Sequence, residues 1–139
     1  MIFTHDSDHF EIAPSARAPE EVPETAYDDM LFDVAVRCMG FTGADHVWVS
    51  PNDWQSFVQA FRELEQRRRG AAELLGVVPE EFRLRFQVYD LAGHVWLQGH
   101  MLRPSWLPGR SVRLDFHLEV DAGMLPAALR EFQLVRHAT

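Results

Sequence analysis

Residues 110–120 read Arg-Ser-Val-Arg-Leu-Asp-Phe-His-Leu-Glu-Val, an alternation of apolar and polar side chains that starts at Val112 and does not break. Successive side chains on a strand leave opposite faces, so Val112, Leu114, Phe116, Leu118 and Val120 share one face and Arg113, Asp115, His117 and Glu119 the other. One face belongs to a core; the other meets water or a partner. That pattern predicts an antiparallel sheet covered on one side, not a parallel sheet buried on both.

The chain has 139 residues, of which 47% are hydrophobic and 16 are Phe, Trp or Tyr, and this composition predicts a folded globule with one core. Cys38 is the only cysteine, which leaves no internal disulfide and no cysteine-based zinc site and points to a cytoplasmic protein. No run of 18 apolar residues exists, and residues 1–10 carry acids and histidines where a signal peptide needs a basic and then an apolar stretch. Neither membrane insertion nor export is expected. The net charge of -8 is uneven: residues 1–29 hold eight acids against Arg17, whereas 30–139 hold thirteen acids against twelve arginines. A nearly neutral body has no basic footprint for nucleic acid. The acidic segment either aids solubility or attracts a basic protein.

Phe10 and Ile12 suggest a short first strand, and Pro14, Pro19 and Pro23 make residues 14–26 a loop. Leu31–Phe41 alternates, with Phe32, Val34, Val36 and Cys38 on one side; a turn at residues 42–45 then leads into a strand over His46–Val49. Ser50, Pro51 and Asp53 are start signals for a helix and Gly70 a stop signal. Between them Trp54, Phe57, Val58, Phe61 and Leu64 form one stripe. Ala72–Val78 and Phe82–Tyr89 read as strands. The turn Asp90–Gly93 leads into a third over His94–Leu102, and a longer turn over Pro104–Gly109 leads into the alternating strand. Pro126 would disrupt the second turn of a helix capped by Asp121, so the last helix is expected to begin near Pro126, with Leu125, Ala128, Leu129 and Phe132 as its stripe.

These elements predict one α+β domain over residues 1–139, built on an antiparallel meandering sheet of about six strands. A long helix and a C-terminal helix pack on its apolar face, and an acidic segment, 1–29, precedes them. Phe86, Leu97, Phe116 and Leu118 are expected to lie under Trp54, Phe57 and Phe61.

Catalytic signatures are missing from the sequence. No nucleophile elbow, phosphate-cradling glycine loop or His-Glu-x-x-His helix occurs, and Cys38 lies on the apolar side of its strand. Of the histidines, His94, His100 and His117 occupy the polar faces of neighbouring strands. Six residues of strand separate the first two by roughly 20 Å, too far to share an ion, so neither a metal nor another cofactor is expected. More suggestive is the outward face of the meander. It carries Arg83, Arg85, Gln87 and Tyr89, then His94, Trp96, Gln98 and His100, then Arg113, Asp115, His117 and Glu119. Arg, Tyr and Trp are enriched at binding hot spots. We therefore single out Arg83, Arg85, Tyr89, Trp96, His100, Asp115, His117 and Glu119 as a candidate partner surface. Cross-strand pairing on a solvated face, or burial of Trp96 under the N-terminal arm, accounts for the same pattern without a partner.

The order of elements and several local phrases resemble the WapI-type immunity proteins, a bacterial family of small α+β domains linked to polymorphic toxin systems. The resemblance lies in Asp29-Met30-Leu31, the Gly43 turn, the helix opened by Asp53-Trp54, the Gly93 hairpin, and above all residues 113–121 leading through Leu125-Pro126 into the last helix. Ala122-Gly123-Met124 departs from the polar and aromatic residues usual there. The resemblance implies a non-enzymatic module that binds a protein partner, in its most specific form a toxin nuclease. The residues leave a second class open: a small enzyme or ligand-binding domain with a pocket between the sheet and the N-terminal arm.

Overall fold

The computed structural model describes residues 1–16 and 29–135. Among the described residues, eight strands form two four-stranded antiparallel sheets, not the single sheet of about six strands expected from sequence. The first sheet contains β1 (Ile2–His5), β2 (Asp8–Pro14), β3 (Met30–Cys38) and β4 (Phe41–Val49), in that order. The second contains β5 (Ala71–Leu75), β6 (Phe82–Val88), β7 (Val95–Pro104) and β8 (Ser111–Val120), also in chain order. Helix α1 (Pro51–Arg67) connects them, and a turn of 3₁₀ helix (Ala122–Met124) runs into α2 (Leu125–Leu134).

Two sheets arise where one was expected because the N-terminal segment contributes more strand than its prolines suggested. Residues 2–14 make a hairpin around Asp6, whose φ is +52°, and β2 pairs with β3 from His9↔Arg37 to Pro14↔Phe32. Phe3, Phe10 and Ile12 are fully buried, so the segment is part of the core and not an arm laid over it. Of the loop expected over 14–26, Pro14 instead ends β2, and residues 17–26 lie outside the described residues.

The β3–β4 turn also lies elsewhere than expected. It is Met39-Gly40, with φ of +52° and +84°, and residues 42–45 belong to β4. Two consecutive positive φ values make the tight hairpin turn that matches strand twist, for which a glycine is the natural second residue. Gly43 has a different purpose inside the strand: a Cβ there would lie 2.8 Å from Leu114 Cδ2 and 2.9 Å from Met101 Cε. There the ends of Leu114 and Met101 from the second sheet occupy the space that a side chain would take.

The phase of α1 is as expected. Ser50 caps it, its Oγ accepting from the Asp53 N–H at 3.1 Å, and Trp54, Phe57, Phe61 and Leu64 are buried. It ends at Arg68 in the left-handed conformation, two residues before Gly70. Its rings join the sheets: Trp54 meets Phe32 of β3 at 4.7 Å, and Phe61 meets Phe86 of β6 edge-on at 5.1 Å. Facing residues meet directly as well, Phe3 with Phe86 at 5.1 Å and Phe10 stacked on Phe116 at 5.6 Å. Phe116 is thus covered by the N-terminal hairpin, where the helix had been expected. Phe132 of α2 closes the ring cluster against Trp54, Phe57 and Phe61. At the far end the β7–β8 hairpin outruns this core, so Val112, expected on the buried face, is 72% exposed. There Arg103 of β7 reaches Asp45 of β4 at 2.6 Å and ties the two sheets together.

Candidate functional site

The register of the second sheet decides which outward side chains become neighbours. Across β6, β7 and β8, Arg83 stands opposite His100 and His100 opposite Asp115; Gln87 stands opposite Trp96 and Trp96 opposite Glu119. All eight candidate residues therefore share one face, with Tyr89 just beyond the end of β6.

They divide into two groups joined by His117. Toward the 90–93 turn lies an aromatic ladder. Tyr89 packs on Trp96 with centroids 4.5 Å apart and on His94 at 5.8 Å, while His117 meets the Trp96 ring at 4.2 Å and 62°. Trp96 is half-buried by these neighbours on its own sheet. The Tyr89 hydroxyl donates to Glu119 Oε1 at 3.3 Å, and His5 of β1 lies 3.6 Å from Glu119 Oε2, so the first sheet touches the edge of this face. Partial burial, followed by the charges of Glu119 and Asp90, raises the Tyr89 pKa above its ordinary value. His94 is held by Asp90, Nδ1 to Oδ2 at 2.5 Å; that hydrogen bond raises the His94 pKa and lowers that of Asp90.

The other group surrounds a shallow bowl of about 330 Å³ lined by Arg83, Arg85, Gln98, His100, Asp115 and His117. Arg83 and Arg85 share one carboxylate oxygen, Glu73 Oε2, at 2.7 and 3.4 Å. Arg85 Nε is buried without a hydrogen-bond partner. His100 Nε2 lies 3.0 and 3.2 Å from the carbonyls of Glu80 and Pro79; carbonyls only accept, so this nitrogen carries the proton. Asp115 accepts from Arg113 through both oxygens, and this hydrogen bonding lowers its pKa.

Two contributors escaped the sequence reading. Glu73 of β5 stands in register with Arg85, and its signal was the alternation of buried Ala72 and Leu74 around it. Gly99 is required because a Cβ would collide with the Arg83 carbonyl and the Phe116 ring, which draws β7 close to β6 at the floor of the bowl. Nothing in the local sequence announces that approach.

The described residues contain no group of three or more His, Cys, Asp or Glu side chains placed to hold a metal ion. Cys38 is buried, with its Sγ 3.3 Å from the His117 carbonyl as a weak donor. The cavity between the N-terminal hairpin and its surroundings, lined by Met1, Ile12, Pro14, Phe32, Trp54 and Phe132 among others, measures only about 60 Å³. No helix among the described residues is long and apolar enough to cross a membrane.

No curated protein and no solved structure matches the chain. The model of the family described as immunity protein WapI-like matches residues 1–138, which is essentially the whole chain. The α+β fold and the match over nearly its full length place this chain in the WapI-like immunity protein family.

Proposed function

We propose that the chain is a cytoplasmic, non-enzymatic immunity protein, folded as one domain, that neutralises a toxin of the nuclease class by binding it. Family membership supports a protein partner. The observation that carries the choice of surface is the ladder Tyr89–Trp96–His117 beside the bowl formed by Arg83, Arg85, His100 and Asp115. Rigid aromatic anchors flanked by arginine are the composition of a binding hot spot. In this reading Trp96 and Tyr89 are the apolar anchors, and Arg83 and Arg85 accept a partner carboxylate beside Glu73. His100, Asp115, His117 and Glu119 form the polar surround.

The acidic excess in residues 1–29 supports a basic partner, because a nuclease built for phosphate backbones is drawn to it electrostatically. Complex formation then weakens as salt rises. The decisive experiment co-expresses the chain with the toxin domain encoded beside its gene and measures survival and complex formation. Rescue together with a stable complex is expected. Absence of rescue, with turnover of a small molecule by the pure protein, would move the bowl to the alternative reading of a small enzyme or ligand-binding domain.

A further inference from the structure

A second concavity, of about 260 Å³, lies between the end of β4 and the β5–β6 connection, and it shares no residue with the bowl on the second sheet. Its walls are apolar: Trp48, Phe82, and Val77 and Val78, which are 47% and 46% exposed. They are held by main-chain bonds. The Val77 N–H donates to the Trp48 carbonyl at 2.8 Å, and the Gly76 N–H to the Phe82 carbonyl at 3.0 Å. Gly76 leaves no slack, since a Cβ there would lie 3.2 Å from Phe82 Cβ. The cleft is therefore preformed.

Its rim is acidic. Asp45 already holds Arg103, whereas Asp29 and Glu81 make no ion pair with any described residue. A purely apolar ligand would strip water from these carboxylates and return nothing, and an anionic one would be repelled. The group that satisfies both features has an apolar stem and a flat cationic end, able to lie against an indole and fork toward carboxylates. Lysine offers the charge without the plane.

We propose that this cleft receives an arginine side chain of the protein partner, as a contact separate from the outer face of the second sheet. The proposal rests on the reading that the chain binds a basic protein. The methylenes would lie along Val77, Val78 and Phe82, with the guanidinium on Trp48 between Asp29 and Glu81.

The test titrates the intact chain with N-acetyl-arginine amide and follows backbone and indole N–H resonances by NMR. The control is N-acetyl-citrulline amide, which keeps the shape and lacks the charge. Saturable shifts of the Trp48 indole and the Val77 and Val78 amides are expected with arginine alone. The Asp29→Asn/Glu81→Gln double variant should weaken them about fivefold or more, while its spectrum otherwise reports an unchanged fold. Equal shifts with citrulline, unsaturable shifts spread over the acidic surface, or full-strength binding by the double variant would each overturn the proposal. No toxin is needed, so a negative result here leaves the immunity reading standing, and failure of co-expression leaves a positive result here intact.

Discussion

The two sheets have the same plan, four antiparallel strands in chain order, yet their outer faces are built for different ends. The first has a concavity of about 340 Å³ floored by Ala13, Ala35 and Ala44 and edged by histidine–carboxylate contacts, His46 with Asp33 at 2.5 Å and His9 with Glu11 at 3.5 Å, and it carries Trp48 at the margin beside the β5–β6 connection. The second carries Trp96, Tyr89, two arginines on one glutamate, and a bowl. Around its alanines, away from Trp48, small side chains with local pairs make a surface that water covers at little cost. Stacked rings beside two partly exposed arginines leave binding capacity unspent. Topology is therefore silent about function here; the choice of outward side chains is not.

The comparison holds only if both sheets share one interior. Phe61 touches Phe57, Phe86 and Phe132 in the cluster that joins them, so Phe61→Ala should cost about 3–5 kcal/mol. Urea unfolding followed by two probes, one in each sheet, should show a single shared transition at lower midpoint. Separate transitions would mean that the sheets are independent units.

A pair of glycine substitutions sharpens the contrast between the sheets. Gly99→Ala drives a methyl into the Arg83 main chain, which cannot yield, and should cost about 3 kcal/mol. Gly43→Ala meets only the ends of Leu114 and Met101, which can rotate, and should cost about 1 kcal/mol. Thermal melts of the two variants provide the ranking, and a reversed order would show that β7 tolerates the close approach better than its geometry allows.

Binding should separate the two faces. Trp96→Ala should weaken the toxin complex by about 2 kcal/mol, roughly thirtyfold in Kd. Ala35→Ser on the first sheet should leave it unchanged. Titration calorimetry on both variants decides the matter, and equal losses would erase the distinction.

The smallest effect concerns pH. The hydrogen bond to Asp90 raises the His94 pKa, so its stabilising effect is complete below the unfolded value near 6.5 and is lost as pH rises through the higher folded value. Asp90 is shifted down, so its share is present above its unfolded value near 3.8 and is lost as pH falls through the lower folded one. The pair therefore acts between those limits. NMR titration should place the His94 midpoint above 6.5 and return it toward 6.5 in Asp90→Asn; an unmoved midpoint would detach the ladder from its turn.

Much of this was legible in the chain. Residues 112–120 carried the strand, its buried face beyond Val112 and the outward row of Asp115, His117 and Glu119, because a period of two is a local property. The phase of α1 was legible because Trp54, Phe57, Phe61 and Leu64 recur on one stripe. The N-terminal hairpin was hidden: Asp6 adopts a positive φ that its residue type only tolerates, and β1 has few apolar residues to mark it. The β3–β4 turn was misplaced because Gly43 reads like a turn glycine, and only the opposite sheet explains it.

Local alternation, helical stripes and caps thus determined which segments are strands and helices and which side chains each turns outward, since these depend on neighbours a few residues away. Tertiary structure alone decided that the strands divide into two sheets, that Glu73 would sit between Arg83 and Arg85, and that Trp48 and Glu81 would share a cleft with Asp29. Those outcomes depend on register and on close approach between segments distant in the chain, which no short stretch of sequence encodes by itself.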